Sequence, residues 1–285
     1  MWMPYTPCIA AELDIRWTNI LFILGAAFLT LKAGQTHRVG AQLILLLPMA
    51  VLLYYIFGVY PTLITLSEEP IVVGFYLVFA FCLSRGWTWA AGVALACCLL
   101  SRYTIVFWAM AYLTYLLIAV SRKGALLTGG AALGTGLVLM AIGQGFGYLD
   151  RFAGLRESYL NTLTNPDERW GVVHNIEQNI GLARFFGYDQ LTSLHQALFY
   201  GSLLLPPLLF TLYHFKLRNR VSLPLFALCS LKLCLVYFFS MNPMPYSYLF
   251  YPSVFISLLL AAWAPHASKT QGLLLGNAGK TTNGQ

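Results

Sequence analysis

The stretch SEEPIVVGFYLVFAFCLSRGWTWAAGVALACCLLSRYTIVFWAMAYLTYLL, Ser67 to Leu117, decides the fold. Its only charges are Glu68, Glu69, Arg85 and Arg102, and they stand between apolar runs rather than within them. Runs this apolar need a non-aqueous surround, and charges spaced this way fall where helices would leave a membrane. The other residues read alike: 59% of the 285 are hydrophobic and 9% charged, against about 45–50% and 25% in an ordinary soluble domain. This excludes a soluble globular protein. The predicted fold class is all-α, a polytopic transmembrane helix bundle.

Working outward, apolar runs predict helices at about 17–32, 41–59, 70–83, 88–101, 103–120, 125–147, 196–213, 222–240 and 247–264. That is about nine spans in one integral membrane domain, 1–264, since each crossing needs about 20 apolar residues. The third and fourth are short, and the fifth follows Arg102 almost without a loop, so this region is expected to hold broken or tilted helices. Residues 148–195 form a polar segment with apolar residues at helical spacing in YLDRFAGLRESYLNTL and IEQNIGLARFF. It is read as an outer-face loop of two interfacial helices. The Gly-rich polar end, 265–285, is expected to be a disordered cytoplasmic tail.

Orientation follows from charge. Alternate loops and the tail carry Lys32, Arg38, Arg85, Arg122, Lys123, Lys216, Arg218, Arg220, Lys269 and Lys280 and no acid, while all ten acids fall on the opposite side. An excess of Lys and Arg marks the cytoplasmic side. The N-terminus is therefore expected outside and the C-terminus in the cytoplasm. The formal charge of +7 is explained by topology rather than by nucleic acid, which would need a basic face. MWMPYTPCIAAELDIRW lacks the basic and apolar regions of a secretory signal, so an outside N-terminus leads to the expectation of a preceding helix. A short translocated N-terminus is the alternative.

Of the six cysteines, all but Cys8 lie in apolar runs, where thiols behave as small hydrophobes, and no disulfide framework is implied. There is no GxxxxGK[ST] loop, HExxH, CxxC or GxSxG element. GGAALGTG, Gly129 to Gly136, reads as close helix packing.

The candidate site residues are few. Glu68 and Glu69 precede Pro70 at the outer end of a span, where paired carboxylates could hold a divalent cation such as Mg or Mn, or accept a proton from a sugar hydroxyl. Alternatively they place negative charge at a helix N-terminus, a position Ser67 could also cap. Arg102, on the same face, could grip a phosphate bidentately or snorkel to headgroups. Lys232 stands midway along its span, where an isolated charge costs at least about 2.5–3.5 kcal/mol, and is expected to face a cavity or an acid. His174, near Trp170 in the outer loop, and Tyr246, in NPMPYSYLFYP at the mouth of the last span, are candidate substrate contacts; a structural histidine and an aromatic belt are the alternatives.

Taken together, the Ser67–Leu117 stretch resembles the GT-C superfamily of membrane glycosyltransferases, in its acidic outer loop, short helix, basic inner turn, Ala-Gly-rich short helix and Arg opening the next span. YTP, Tyr5 to Pro7, is similar to that superfamily's Tyr-Pro-Pro element, and HNIEQNIGLARFFG resembles the outer-loop segment of glycosyltransferase family 87. The resemblance spans about residues 3–262. It implies a lipid-linked sugar donor, a polyprenyl phosphate, used on the outer or lumenal face. Glu68 or Glu69 matches the second acidic position of these enzymes, and Arg102 the basic residue near the donor phosphate. A first acidic loop would precede Tyr5, so the resemblance too places a helix and that loop upstream. Glu12 and Asp14 lie beyond YTP and are not assigned its catalytic role.

Two other classes compete: a membrane transporter or channel component, served by broken helices, Lys232 and outer carboxylates, and an inactive fragment or scaffold. No internal repeat of the kind transporters show is visible. The charge partition has a direct test. With the native cysteines replaced, Glu68→Cys is expected to react with an impermeant maleimide from outside, and Arg122→Cys only after the membrane is opened. The reverse pattern would invert the topology and with it the site.

Overall fold

The computed structural model describes residues 3–33, 39–65, 67–143, 181–186, 190–242 and 250–263, and every regular element among them is helical. The predicted tail and most of the outer loop lie outside the described residues. The α-helices are α1 (Thr6–Ala10), α2 (Arg16–Ala33), α3 (Val39–Tyr54), α4 (Thr62–Thr65), α5 (Glu69–Arg85), α6 (Thr88–Ser101), α7 (Val106–Tyr115), α8 (Arg122–Gly143), α9 (Leu191–Leu212), α10 (Leu223–Met241) and α11 (Phe250–Trp263). Three helical stretches are long and apolar enough to cross a membrane: Arg122–Ile142, Thr192–Leu217 and Leu223–Met241. Leu45–Val59, Thr88–Ser101, Val106–Val120 and Phe250–Trp263 are apolar but shorter.

Within the described residues each predicted apolar run is helical, with shifted ends. The helix expected at 196 begins at Leu191. Residues 191–195, read as outer loop, belong to α9 because Leu194 and Leu198 point inward from its first turns while Thr192, Ser193 and Gln196 stay exposed. The expected break near Arg102 is present. A 3-10 turn, Tyr103–Ile105, separates α6 from α7, and α7 passes into a π-turn at Leu116–Val120.

The α5–α6 hairpin turns on Gly86, whose φ of 68° is left-handed, a conformation glycine adopts without a Cβ penalty. Gly86 N–H donates to the Leu83 carbonyl at 3.1 Å and Trp87 N–H to that of Cys82 at 3.0 Å, which satisfies the end of α5 within a Schellman motif. Further along, α6 lies against α8. A Cβ at Gly92 would run into the Thr128 backbone carbonyl, and beside it the Thr128 hydroxyl donates to the Thr88 carbonyl at 3.1 Å.

Packing centres on Trp108 of α7, 1% exposed. Its indole meets Phe79 of α5 edge-on at 5.7 Å and stacks on Tyr112 at 5.1 Å, and its Nε1 donates to Ser230 Oγ of α10 at 2.9 Å. Phe210, Tyr115, Tyr213 and Phe226 continue the aromatic contacts across α7, α9 and α10. Apolar side chains also cover the outside: Ile118 is 79% exposed and Ile142 75%. So wide an apolar exterior suits contact with lipid, where close packing rather than water exclusion drives helix association.

Replacing Gly92 by valine is therefore expected to lower the thermal unfolding temperature in detergent, by the equivalent of about 1–3 kcal/mol for overpacking. Gly130→Ala, on the same α8 but with open space around it, is expected to leave it unchanged or slightly raised. Equal effects would mean that the α6–α8 contact is not close.

Candidate functional site

At the start of α5 the chain needs a partner for its first free amides. Ser67 supplies it: its Oγ accepts the Glu69 N–H at 3.0 Å. Glu68 occupies the cap position, yet its side chain makes no capping bond, so local helix capping does not employ that carboxylate. Glu69, in the first turn, is 8% exposed. A carboxylate buried to this degree at a helix entrance is unusual without a polar surround.

Polar groups from several segments gather around the start of α5. Asn19, buried in α2, donates through Nδ2 to the Ile64 carbonyl at 2.7 Å and the Ser67 carbonyl at 3.1 Å. Its Oδ1 accepts from the Tyr5 hydroxyl at 3.1 Å. One amide thus ties Tyr5, α2 and the loop carrying Glu68 into a unit. The Tyr5 phenol is pushed above its ordinary value, first by burial and then by the nearby Glu68 charge. On the other side, Tyr251 at the start of α11 lies within electrostatic reach of Glu69, Tyr55 and Tyr60. The Tyr55 and Tyr60 rings stack at 6.4 Å.

Arg102 follows the last residue of α6 in extended backbone, φ −151° and ψ 119°. Its N–H donates to the Cys98 carbonyl at 2.8 Å, and its half-buried guanidinium lies 3.4 Å from the Ser101 carbonyl. Glu69 and Arg102 come to the same end of the bundle because both helices start from the Gly86 turn. At 1.5 Å per residue Glu69 stands roughly 24 Å and Arg102 roughly 21 Å from it, nearly level. Below them the Tyr76 hydroxyl meets Thr104 Oγ1 at 3.2 Å.

The structure therefore gathers Glu68, Glu69 and Arg102 at one end, whereas Lys232 stands apart. Lys232 is half-buried at the middle of α10, and among the described residues the one ion pair is Arg16 with Asp14, so it meets no carboxylate there. A small cavity, with room for about one water molecule, is lined by Thr104, Trp108, Ser202, Pro206, Cys234 and Tyr237 among others, but not by Lys232. Pro206 frees the Ser202 carbonyl from its helical partner, and Ser202 Oγ beside it has no hydrogen-bond partner. His174 and Tyr246 lie outside the described residues. Among those described, no group of three His, Cys, Asp or Glu side chains comes together; Glu68 and Glu69 are two acidic neighbours only.

Asn19, Tyr55 and Tyr60 went unread in the sequence. Asn19 had a signal, as a lone amide in the apolar run TNILFIL; the tyrosines had none, since their approach to Tyr251 depends on how the end of α3 and α11 pack. Comparison of the chain with protein-family models, with curated proteins and with solved structures gives no match. What the fold and site define is accordingly a class: an all-helical chain with helices able to cross a membrane and a carboxylate-lined end.

Asn19→Leu should strip three partners at once and lower stability by about 1–3 kcal/mol per polar group left unpaired, read as a fall in unfolding temperature. The raised Tyr5 pKa has a defined sign: its contribution is fully present below the ordinary phenol value of about 10 and is lost as pH rises through the folded value. Tyr5→Phe is expected to remove that alkaline component, flattening the stability profile above pH 10.

Proposed function

We propose that this chain is a multi-pass membrane glycosyltransferase of the GT-C type, transferring a sugar such as a hexose from a polyprenyl-phosphate donor to an acceptor on the outer or lumenal face. On this reading all nine apolar runs predicted from the sequence are embedded, the shorter helices included, with the N-terminus outside and the C-terminus cytoplasmic. The observation that carries it is Glu69, a carboxylate held buried at the mouth of an apolar bundle with Glu68 next to it and Arg102 nearly level across the α5–α6 hairpin. The order in which these residues occur along the chain adds the superfamily resemblance.

The chemistry matches the residues. In transfer, the acceptor oxygen bonds to the sugar's anomeric carbon while the bond from that carbon to the donor phosphate breaks, and the polyprenyl phosphate leaves with the bonding electrons. The acceptor hydroxyl must lose a proton, and on this reading Glu69 and Glu68 are the carboxylates of the described residues that would take it or hold the acceptor, beside the upstream acid that the resemblance implies. The leaving phosphate gains negative charge at the membrane edge, where the Arg102 guanidinium offers planar, fixed donors. Glu68 and Glu69 are hard oxygen donors of the kind Mg and Mn accept alongside substrate phosphates; such a cation would add charge neutralisation there.

A transporter is the second reading, favoured by Lys232 in the middle of α10 and the Pro206–Pro207 pair inside α9. A transport site would be expected near the midplane, whereas the carboxylates and Arg102 gather at one end.

The test is transfer from labelled polyprenyl-phosphate sugars by protein in its own membranes. Glu69→Gln is expected to reduce transfer about 100-fold or more, as loss of a general base does. Arg102→Lys keeps the charge but loses the fork, and a reduction of at least about tenfold is expected. Transfer indifferent to both substitutions would remove the site, and donor binding without any transfer by the unaltered chain would mark an inactive relative.

A further inference from the structure

At the end of the bundle opposite Glu69, the C-termini of α2 and α5 meet. Lys32 stands in the last turn of α2 and Arg85 closes α5. The Arg85 guanidinium lies 3.4 Å from the Lys32 backbone carbonyl, so the two basic residues adjoin across the helix pair. Each cation also lies over a ring: Lys32 Nζ is 5.7 Å from the centre of Phe28, and the Arg85 guanidinium 5.3 Å from that of Phe81. Phe81 in turn meets Trp87 edge-on at 6.0 Å. Trp87 is 54% exposed and Trp89 66%.

Two positive side chains side by side at helix ends attract a negative partner. The helix C-termini supply part of one through their free carbonyls. No carboxylate supplies the rest: neither Lys32 nor Arg85 forms an ion pair among the described residues, the turns at 86–87, 121 and 218–222 contain no Asp or Glu, and the sequence between Ala33 and Val39 contains none either. Both side chains are exposed, and beside them is an indole wall rather than a polar surface. Tryptophan favours the headgroup level of a bilayer, and basic clefts between helix ends on the cytoplasmic side suit acidic headgroups.

We propose that Lys32 and Arg85, walled by Trp87, bind the phosphate of an anionic phospholipid headgroup in the cytoplasmic leaflet. The guanidinium provides directed donors and the ammonium a point charge, while the acyl chains run along the exposed apolar face of α2 presented by Leu21, Leu24 and Phe28. This site rests on the membrane reading of the chain and is independent of sugar transfer.

The test uses the purified full chain in nanodiscs of phosphatidylcholine with or without phosphatidylglycerol, with lipid retained on the protein counted by native mass spectrometry and thermal unfolding followed in parallel. Phosphatidylglycerol is expected to be retained about tenfold over phosphatidylcholine and to raise the unfolding temperature, and inorganic phosphate at millimolar concentration to do neither. The double variant K32Q/R85Q should lose the preference. The pair K32R and R85K, which keeps both charges, should retain it and serves if the double variant fails to fold. Arg220→Gln, which removes a cation from the same end, should also retain it. No preference in the unaltered protein, a preference surviving K32Q/R85Q, or one lost equally in Arg220→Gln overturns the site, and equal stabilisation by inorganic phosphate overturns its lipid source. Alkaline carbonate extraction separates the two levels. Release of the chain from membranes would remove the membrane reading as well, whereas retention without lipid preference removes the headgroup site alone.

Discussion

Backbone amides and carbonyls surrounded by apolar matter have no water to bond, so the chain must satisfy them itself. A sequence with 59% hydrophobic residues is thereby confined to helices, and the pressure is greatest where each helix stops. The ends here answer it in distinct ways. The Schellman pair at Gly86 closes α5, while Tyr60, Ser121 and Arg218 N–H reach back five residues to Tyr55, Leu116 and Tyr213 at 2.8 Å. These π-turns complete α3, α7 and α9 without a loop of exposed carbonyls.

The same demand shapes the middle of the bundle. Some polar side chains that enter it are bonded across helices, Trp108 to Ser230, Tyr237 to the Ala197 carbonyl at 2.7 Å and Thr128 to Thr88, while others, such as Thr30 to the Ala26 carbonyl at 2.9 Å, bond back into their own helix. Each bond across helices joins two elements distant in the chain, and each leaves its apolar neighbours to decide the closeness of approach. Pro206 and Pro207 within α9, like Pro48 within α3, leave carbonyls without their helical donors, and at α9 the structure has a cavity the size of a water molecule beside Ser202.

Charge is then distributed lengthwise. Glu12, Asp14, Glu68 and Glu69 stand at one end with Arg16 and Arg102; Lys32, Arg85, Arg122, Lys123, Lys216, Arg218 and Arg220 stand at the other. The proposed transfer chemistry draws on the acidic end, and the proposed headgroup site on the basic one. Neither depends on the other, since α2 and α5, which contribute to both, separate them by their full length.

Sequence by itself determined the helical class, the place of nearly every helix and the separation of acidic from basic ends, because these follow from local apolar runs and the cost of charge in lipid. It also singled out Glu68, Glu69 and Arg102, since a charge beside an apolar run is conspicuous. It could not show that Ser67 rather than Glu68 caps α5, that Glu69 is buried, or that Lys232 has no carboxylate opposite it among the described residues. Those depend on how far each helix extends and which neighbour it meets. Tertiary structure alone brought Asn19 to Ser67 across 48 positions of chain and Tyr251 within reach of Glu69, Tyr55 and Tyr60, because contacts between helices are set by side-chain shape at the crossing, which no local pattern encodes.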